Sequence, residues 1–482
     1  MGDTLTWHRA NRPAVAKVGS CMRISAALAG LILLASGCAS TAPAAPVATV
    51  APTERAEVVA TRAAVQAYVE KNQFAGTVLV AKNGKPVFRE SFGLANRELN
   101  VQNTADTVFR LGSITKQFTA ASILQLVEAG KLSVDDKVSK YYAKAPASWS
   151  AITIKHLLTH RSGIPSYTGL PNFFETQAAS DKTPYEIVQL TASMPLEFEP
   201  GTKYAYDNTG YVLLGYIIEK VSGQSYAAYL QDHIFGPLGM KHSGFDTSVD
   251  ILPNRAAGYS FDDNKWTNAR YLAMTLPHAA GSLYSTVDDL LIWEQAFFGD
   301  KVVSAVSRNA MTTDHGDKYG FGLLADDLGG HTNIWHNGGI NGFSTHMARF
   351  PDDGLTVIAL ANLETARSTR LGTEIARIWL GLPAPPPPAA LVPVTVAPAV
   401  LDRYVGVYEL MPKFNITIAR GDAGLTAQAT GQGAFALVAT SDTEFHFEEA
   451  GIRIVFPLGD GPAPSLTLFQ GGPREAKRIA AN

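Results

Sequence analysis

From Val58 to Asn72, the apolar positions of VVATRAAVQAYVEKN return every three to four residues, which predicts a helix. The next stretch, GTVLVAKNGKPVFRESFG, alternates on either side of Asn83-Gly84, a pair that favours a two-residue hairpin turn. The same two patterns come back in reverse order near residue 350. FSTHMARFPDDGLTVIALAN alternates around Asp352-Asp353-Gly354, and TRLGTEIARIWLGL returns to helical spacing. Between them helical runs dominate, such as GYVLLGYIIEKVSG with Gly223 as its stop signal. Hairpins at both ends of a helix-rich stretch predict an α+β fold: an antiparallel sheet flanked by helices, with a helical subdomain. Beyond residue 399 the pattern changes. FNITIARGDAGLTAQA, TEFHFEEAGIRIVFPL and SLTLFQGG are short alternating segments between Gly/Asp turns, which predict a small all-β domain, a sandwich or a barrel.

Two Ala/Pro-rich stretches without an apolar face, residues 39–56 and 382–398, read as linkers. They separate a leader (1–38), a large domain (57–381) and a small one (399–482). Within the leader, MRISAALAGLILLASGCAS from Met22 holds one Arg, a short apolar run and then Ala35-Ser36-Gly37-Cys38. That order reads as a secretory signal and resembles a bacterial lipoprotein signal, with Cys38 as the lipidated residue and Met22 as the start of translation. The run from Ile24 to Ala35 is too short to cross a bilayer. The expected location is therefore the cell envelope, periplasmic or held at the membrane through a lipid on Cys38; the alternative is a cleaved signal without lipid.

Charge and cysteine content narrow the chemistry. Lys plus Arg total 40 against 43 Asp plus Glu, with no basic cluster to track phosphates, so nucleic acid is not an expected partner. The only cysteines, Cys21 and Cys38, precede the globular part, which excludes a Cys nucleophile there and leaves oxygen or nitrogen to do the chemistry. His156 and His160 have helical spacing compatible with a metal, but no Glu follows His156 and no third ligand can be assigned. No metal and no cofactor are expected. A Gly-x-Ser-x-Gly elbow is absent from the sequence.

The stretch FRLGSITKQFTA offers a nucleophile. If Ser113 opens the helix that continues to a stop at Gly130, Lys116 lies one turn on and on the same face. A Lys held neutral there takes the hydroxyl proton, and the Ser113 N–H, at the positive end of the helix, stabilises an oxyanion. Alone, the same residues read as a helix cap and a surface charge. Two distant phrases change that reading: FEPGTKYAYDNTGY, with Tyr206 and Asn208, and IWHNGGINGF, with His336, Asn337, Gly338 and Gly339.

Ser113-x-x-Lys116, Tyr206-x-Asn208 and His336-x-Gly338, in this order and at these separations, resemble the serine β-lactamase-like family, the branch of class C β-lactamases, DD-peptidases, D-aminopeptidases and lactamase-like esterases. The resemblance spans residues 57–381 and includes LLTHRSGI, IFGPLGMKHSGF and AAGSLYSTVDDLLIW. It implies a mixed α/β sandwich. It also implies that Ser113 accepts the acyl group, that Lys116 and Tyr206 accept and return its proton, Tyr206 as phenolate or through a shared proton, and that Asn208 orients Lys116 and the substrate. His336, Asn337 and Gly338 would form the opposite wall, with the Gly339 N–H completing an oxyanion hole. The implied activity is acyl-enzyme hydrolysis of a small ester, amide or peptide by an esterase or peptidase. A D-amino-acid peptidase or DD-carboxypeptidase on cell-wall fragments and a true β-lactamase are the alternatives. A non-catalytic protein that binds or senses peptidoglycan would be marked by loss of Ser113, Lys116 or Tyr206, and all three are present. Two positions depart from the family pattern. Asp207 stands where a small polar residue is usual, and would disfavour anionic substrates if it faced the cleft. His336 replaces a Lys of β-lactamases, removing a permanent charge that would grip a substrate carboxylate.

The leader reading predicts that globomycin causes the unprocessed precursor to accumulate and that the mature chain begins at Cys38. N-terminal sequencing checks this, and a mature terminus upstream of Cys38 overturns it.

Overall fold

A computed structural model describes residues 54–384, 391–411, 414–421, 424–430, 434–447, 452–469 and 473–479. The leader with Cys21 and Cys38, the linker up to residue 53, and residues 385–390 of the second linker lie outside the described residues. The elements that carry the large domain are α1 (Ala56–Glu70), β1 (Gly76–Lys82), β2 (Lys85–Phe92), α2 (Thr115–Glu128), α3 (Pro184–Ala192), α4 (Asn208–Ser222) and α5 (Tyr226–Leu230). They are followed by α6 (His278–Gly281), α7 (Val287–Phe298), β3 (Leu324–Leu328), β4 (His331–Ile340), β5 (Phe343–Phe350), β6 (Leu355–Ala361) and α8 (Ser368–Trp379).

The six strands form one antiparallel sheet in the order β3-β4-β5-β6-β1-β2. The N-terminal hairpin thus pairs with the last strand of the domain, Gly76 opposite Ala361, and closes it on itself. Asn83 and Gly84 turn the first hairpin with φ of 50° and 72°, the conformation that such a two-residue turn requires. β1 and β6 are apolar at nearly every position because helices cover both faces. Val78, Val80, Val357 and Ala359 pack with α1 and α8, through Val65, Leu371 and Ile375. Their alternating neighbours Leu79, Ala81, Ile358 and Leu360 join the larger core with Phe118 of α2 and Trp293 of α7.

α4 is the central helix of the insert. Its residues Tyr211 to Gly215, Ile217 and Ile218 are buried, so it is wrapped by protein on most sides. Asp207 caps its N-terminus, the carboxylate accepting from Gly210 N, and Gly223 ends it in the left-handed conformation at φ 76°.

The small domain is a closed barrel. After α9 (Pro398–Tyr404) come β7 (Gly406–Met411), β8 (Phe414–Gly421), β9 (Gly424–Ala429), β10 (Phe435–Ala439), β11 (Glu444–Phe447), β12 (Ile452–Val455), β13 (Ser465–Phe469) and β14 (Pro473–Ile479). They run as an up-and-down meander, and β14 pairs back onto β7. Closure removes the exposed strand edges that an open sheet would leave. Its core includes Tyr408, Ile416, Ile418, Phe445, Ile454 and Leu466, and Val396 is packed there as well. No helix among the described residues is long and apolar enough to cross a membrane.

A Cβ on Gly223 would meet nothing within 4 Å, so Gly223→Ala has only its backbone angle to bear. It should lower the unfolding free energy by about 1 kcal/mol, and Gly223→Asn by less, since Asn tolerates this conformation. Urea unfolding of both variants checks the ranking.

Candidate active site

The helix that Ser113 was expected to open begins with a tight turn, Gly112–Ile114, and runs on as α2. Gly112 has φ 55°, and a Cβ there would lie 2.9 Å from both N and O of Gly339. Only Gly lets this turn touch the β4 strand so closely. Ser113 is half-buried while Lys116, one turn on, is 0% exposed.

Lys116 Nζ lies 2.9 Å from Asn208 Oδ1, 2.8 Å from the Ala280 carbonyl and 3.1 Å from Ser113 Oγ. It also sits 4.7 Å from the centre of the Tyr206 ring and 5.4 Å from that of Tyr211. Burial pushes its pKa well below the usual Lys value, and the nearby Asp207 only partly opposes this. A neutral amine has two N–H bonds and one lone pair. The amide oxygen and the carbonyl are pure acceptors and take the two N–H groups, so the lone pair faces Ser113 Oγ.

Tyr206 stands beside the same hydroxyl. Burial pushes its pKa up, and a hydrogen bond with Ser113 opposes the rise. The phenolate form considered from sequence therefore finds no stabilising charge here, because the lysine that would supply it is itself driven neutral. Asn208 opens α4; its Nδ2 donates to Thr168 Oγ1 (3.0 Å) and its backbone N to Ser166 Oγ (3.1 Å), which fixes the oxygen towards Lys116.

Asp207 does not face the cleft. It is buried, accepts from Gly210 N (3.0 Å) and Ser162 Oγ (3.2 Å), and is pushed up to about 7 by burial, with those two bonds opposing. Its backbone N donates to His160 Nδ1 (3.0 Å). That bond, and the backbone N–H of Thr153 on His156 Nδ1, give both histidines of the metal-like pair roles in local structure. The His160 ring lies 4.3 Å from that of Tyr206 and 4.7 Å from that of Tyr319. Burial holds it neutral.

The wall opposite is β4. Its residues His331 to Trp335 pair with β3 and Ile334 to Ile340 with β5, but β3 reaches no further than Leu324, opposite Trp335. By the alternation of an antiparallel ladder, the backbone groups of Asn337 and Gly339 point to the side β3 has vacated, where Gly112 and Ser113 lie. The Ser113 and Gly339 N–H groups thus border one space. Gly338 points inward, and a Cβ on it would fall 1.9 Å from the Leu111 carbonyl. His336 is buried. Its Nδ1 donates to the Asn337 carbonyl (2.5 Å) and its Nε2 accepts from Tyr319 O–H (3.0 Å). Burial lowers it to about 3, so it presents no charge to the cleft.

Ser113, Lys116, Tyr206, Asn208, His336, Gly338 and Gly339 converge here, whereas His156 stays with its own helix start and Asp207 turns inward. Sequence reasoning missed Tyr319, the Ala280 carbonyl, and the hydroxyls of Ser166 and Thr168. Tyr319 had a signal in the phrase YGFG, where Gly322, at φ 72°, brings the chain within 2.5 Å (Cβ position) of the Lys116 carbonyl. A backbone carbonyl such as that of Ala280 has none.

Comparison with known proteins agrees with this geometry. The family model described as Beta-lactamase matches residues 61–378. The chain is 31% identical over 433 residues to penicillin-binding protein 4* of Bacillus subtilis (strain 168), covering 84% of this chain and 95% of that protein. It is 26% identical over 394 residues to a D-aminopeptidase of Gluconobacter oxydans (strain 621H), covering 75% and 73%. Among solved structures, a penicillin-binding protein from Bacillus halodurans superposes with a TM-score of 0.57 at 30% identity, over 62% of this chain and 94% of that one.

In the fold Asp207 keeps its proton up to about pH 7, whereas in the unfolded chain it ionises above its ordinary value near 3.8. Its contribution to stability is therefore complete below that lower value and is lost as pH rises through about 7. Asp207→Asn keeps a good cap and removes the titration. The variant should gain on the wild type as pH rises through this window, by on the order of 1–3 kcal/mol at its upper end, with ester turnover retained. Urea midpoints at acidic and mildly alkaline pH check it.

Proposed function

This chain belongs to the beta-lactamase family, and from that premise we propose that it hydrolyses small amides, peptides and esters through an acyl-enzyme on Ser113. The observation that carries the proposal is the Lys116 amine, buried and driven neutral, with its N–H groups taken by Asn208 Oδ1 and the Ala280 carbonyl and its lone pair facing Ser113 Oγ at 3.1 Å. Ser113 Oγ attacks the substrate carbonyl carbon and its proton passes to Lys116 Nζ. Negative charge on the carbonyl oxygen is met by the N–H groups of Ser113 and Gly339; each donor of this kind typically contributes about 100-fold to 1000-fold. The proton then moves, by way of Tyr206 O–H, to the departing nitrogen or oxygen as its bond to carbon breaks. Water attacks the acyl-enzyme with the same groups returning the proton to Ser113.

The neutral His336 bears on substrate choice. Bonded to Tyr319 and to the Asn337 carbonyl, it offers no cation for a terminal carboxylate. This favours amides, esters and N-terminal peptide cleavage over carboxypeptidase or β-lactamase activity. Similarity to the D-aminopeptidase supports D-amino-acid acyl groups as the first to test. We further propose that the chain is exported and tethered in the cell envelope through Cys38, on the strength of its signal sequence.

Parallel assays with short nitrophenyl esters, D-amino-acid amides, D-Ala-D-Ala peptides and a chromogenic cephalosporin should rank amides and esters first. Ser113→Ala should lose at least about 1000-fold, and Tyr206→Phe about 100-fold to 10,000-fold, in kcat. Fluorophosphonate should label Ser113. Full turnover in Ser113→Ala, or an adduct on another residue, sinks the mechanism.

A further inference from the structure

A cavity of about 360 Å³ lies apart from the cleft, lined by the start of α3, the last turn of α4, the start of α5, Phe245 and the start of α6. Its volume is that of a small-molecule site. It shares no residue with the catalytic group. His278 lines the cavity, whereas Ala280, two residues on in the same short helix, gives its carbonyl to Lys116.

The lining is not that of a leftover packing void. His278 is 6% exposed and adopts φ 40°, a left-handed conformation that a non-Gly residue holds only where its surroundings enforce it. Room for it is made by Gly215, whose Cβ would fall 2.7 Å from His278 Nδ1. Nδ1 has no hydrogen-bond partner among the described residues, and Nε2 lies 3.7 Å from Glu219 Oε1, within ion-pair reach of the carboxylate when the imidazole is protonated. Glu219 accepts from Tyr226 N (3.0 Å) through the same Oε1. A nearly buried imidazole and a half-buried carboxylate thus lie side by side on the cavity wall, Glu219 Oε1 being shared between His278 and Tyr226 N.

We propose that this cavity binds a small organic ammonium. Carboxylates outnumber amines on its wall: Asp181, Glu186 and Glu219 against Lys182. Glu186 is already engaged in capping α3 with Thr183, and Asp181 accepts a single bond from Thr275 Oγ1 (2.8 Å). Glu219 and Asp181 remain as acceptors for the N–H groups of the ligand. The rings of Tyr226 and Phe245, which flank His278 at 5.1 and 5.6 Å, form a surface for its apolar part and attract a cation through their faces. An anion finds less here, since the α3 N-terminus is capped by its own side chains.

The test uses the full chain carrying Ser113→Ala, so that turnover does not intrude, and titrates it with benzylamine, benzyl alcohol and benzoate by calorimetry. Benzylamine should bind saturably and one-to-one, and at least about tenfold more tightly than either analogue. Glu219→Gln, which keeps the acceptor for Tyr226 N, should weaken it by about tenfold or more. Ala227→Phe, which fills the cavity from α5, should abolish it. The proposal falls if benzylamine shows no saturable binding. It also falls if affinity is unchanged in a folded Ala227→Phe variant, an outcome that would move the amine to another site whether or not Glu219→Gln folds.

Discussion

An amine without access to water lies at the centre of this molecule. Lys116 is wholly buried, and burying a cation is so unfavourable that the group is driven to its neutral form. A neutral amine has to be satisfied by acceptors in fixed directions, and these come from far away in sequence, Asn208 at 92 residues and Ala280 at 164. The start of α2, the start of α4 and the short helix α6 must therefore meet at one point to within tenths of an ångström. Asp207 capping α4, Thr168 and Ser166 holding Asn208, and Gly322 lying against the Lys116 carbonyl all serve that meeting.

The sheet supplies what the helices cannot. Because β3 stops short, two residues of β4 keep backbone groups turned outward without a strand partner. Ordinarily such an edge is a liability. Here the Gly112–Ile114 turn occupies it, and glycines at 112 and 338 permit an approach that a single methyl would prevent. The Ser113 and Gly339 N–H groups, the proposed oxyanion donors, are thus set by sheet register and helix start. Around them Tyr206, Tyr211, Tyr319, His160 and His336 exclude water, which keeps both imidazoles uncharged and intensifies every remaining polar contact.

Much of this could be read along the chain. Both hairpins, the helices around them and the stop at Gly223 follow from apolar periodicity and turn residues, which act over a few neighbours. The choice between sandwich and barrel for the small domain could not, because both have the same alternation; only the pairing of β14 with β7 makes it a barrel. In the site, Ser113, Lys116, Tyr206, Asn208 and His336 stood out as reactive side chains at meaningful spacing. Asp207 did too, but whether it entered the cleft depended on how α4 begins, and it turned inward to cap that helix.

By itself, then, the sequence determined which side chains were available for chemistry and which local segments would present them, since residue type and short-range spacing are written there directly. Tertiary structure alone decided their protonation and direction. A lysine becomes a neutral amine through its distance from water and is held by the carbonyl oxygens it meets, and a histidine becomes an uncharged wall beside a tyrosine 17 residues before it in the chain. Burial and long-range contact are properties of the packed chain, and no window of neighbouring residues contains them.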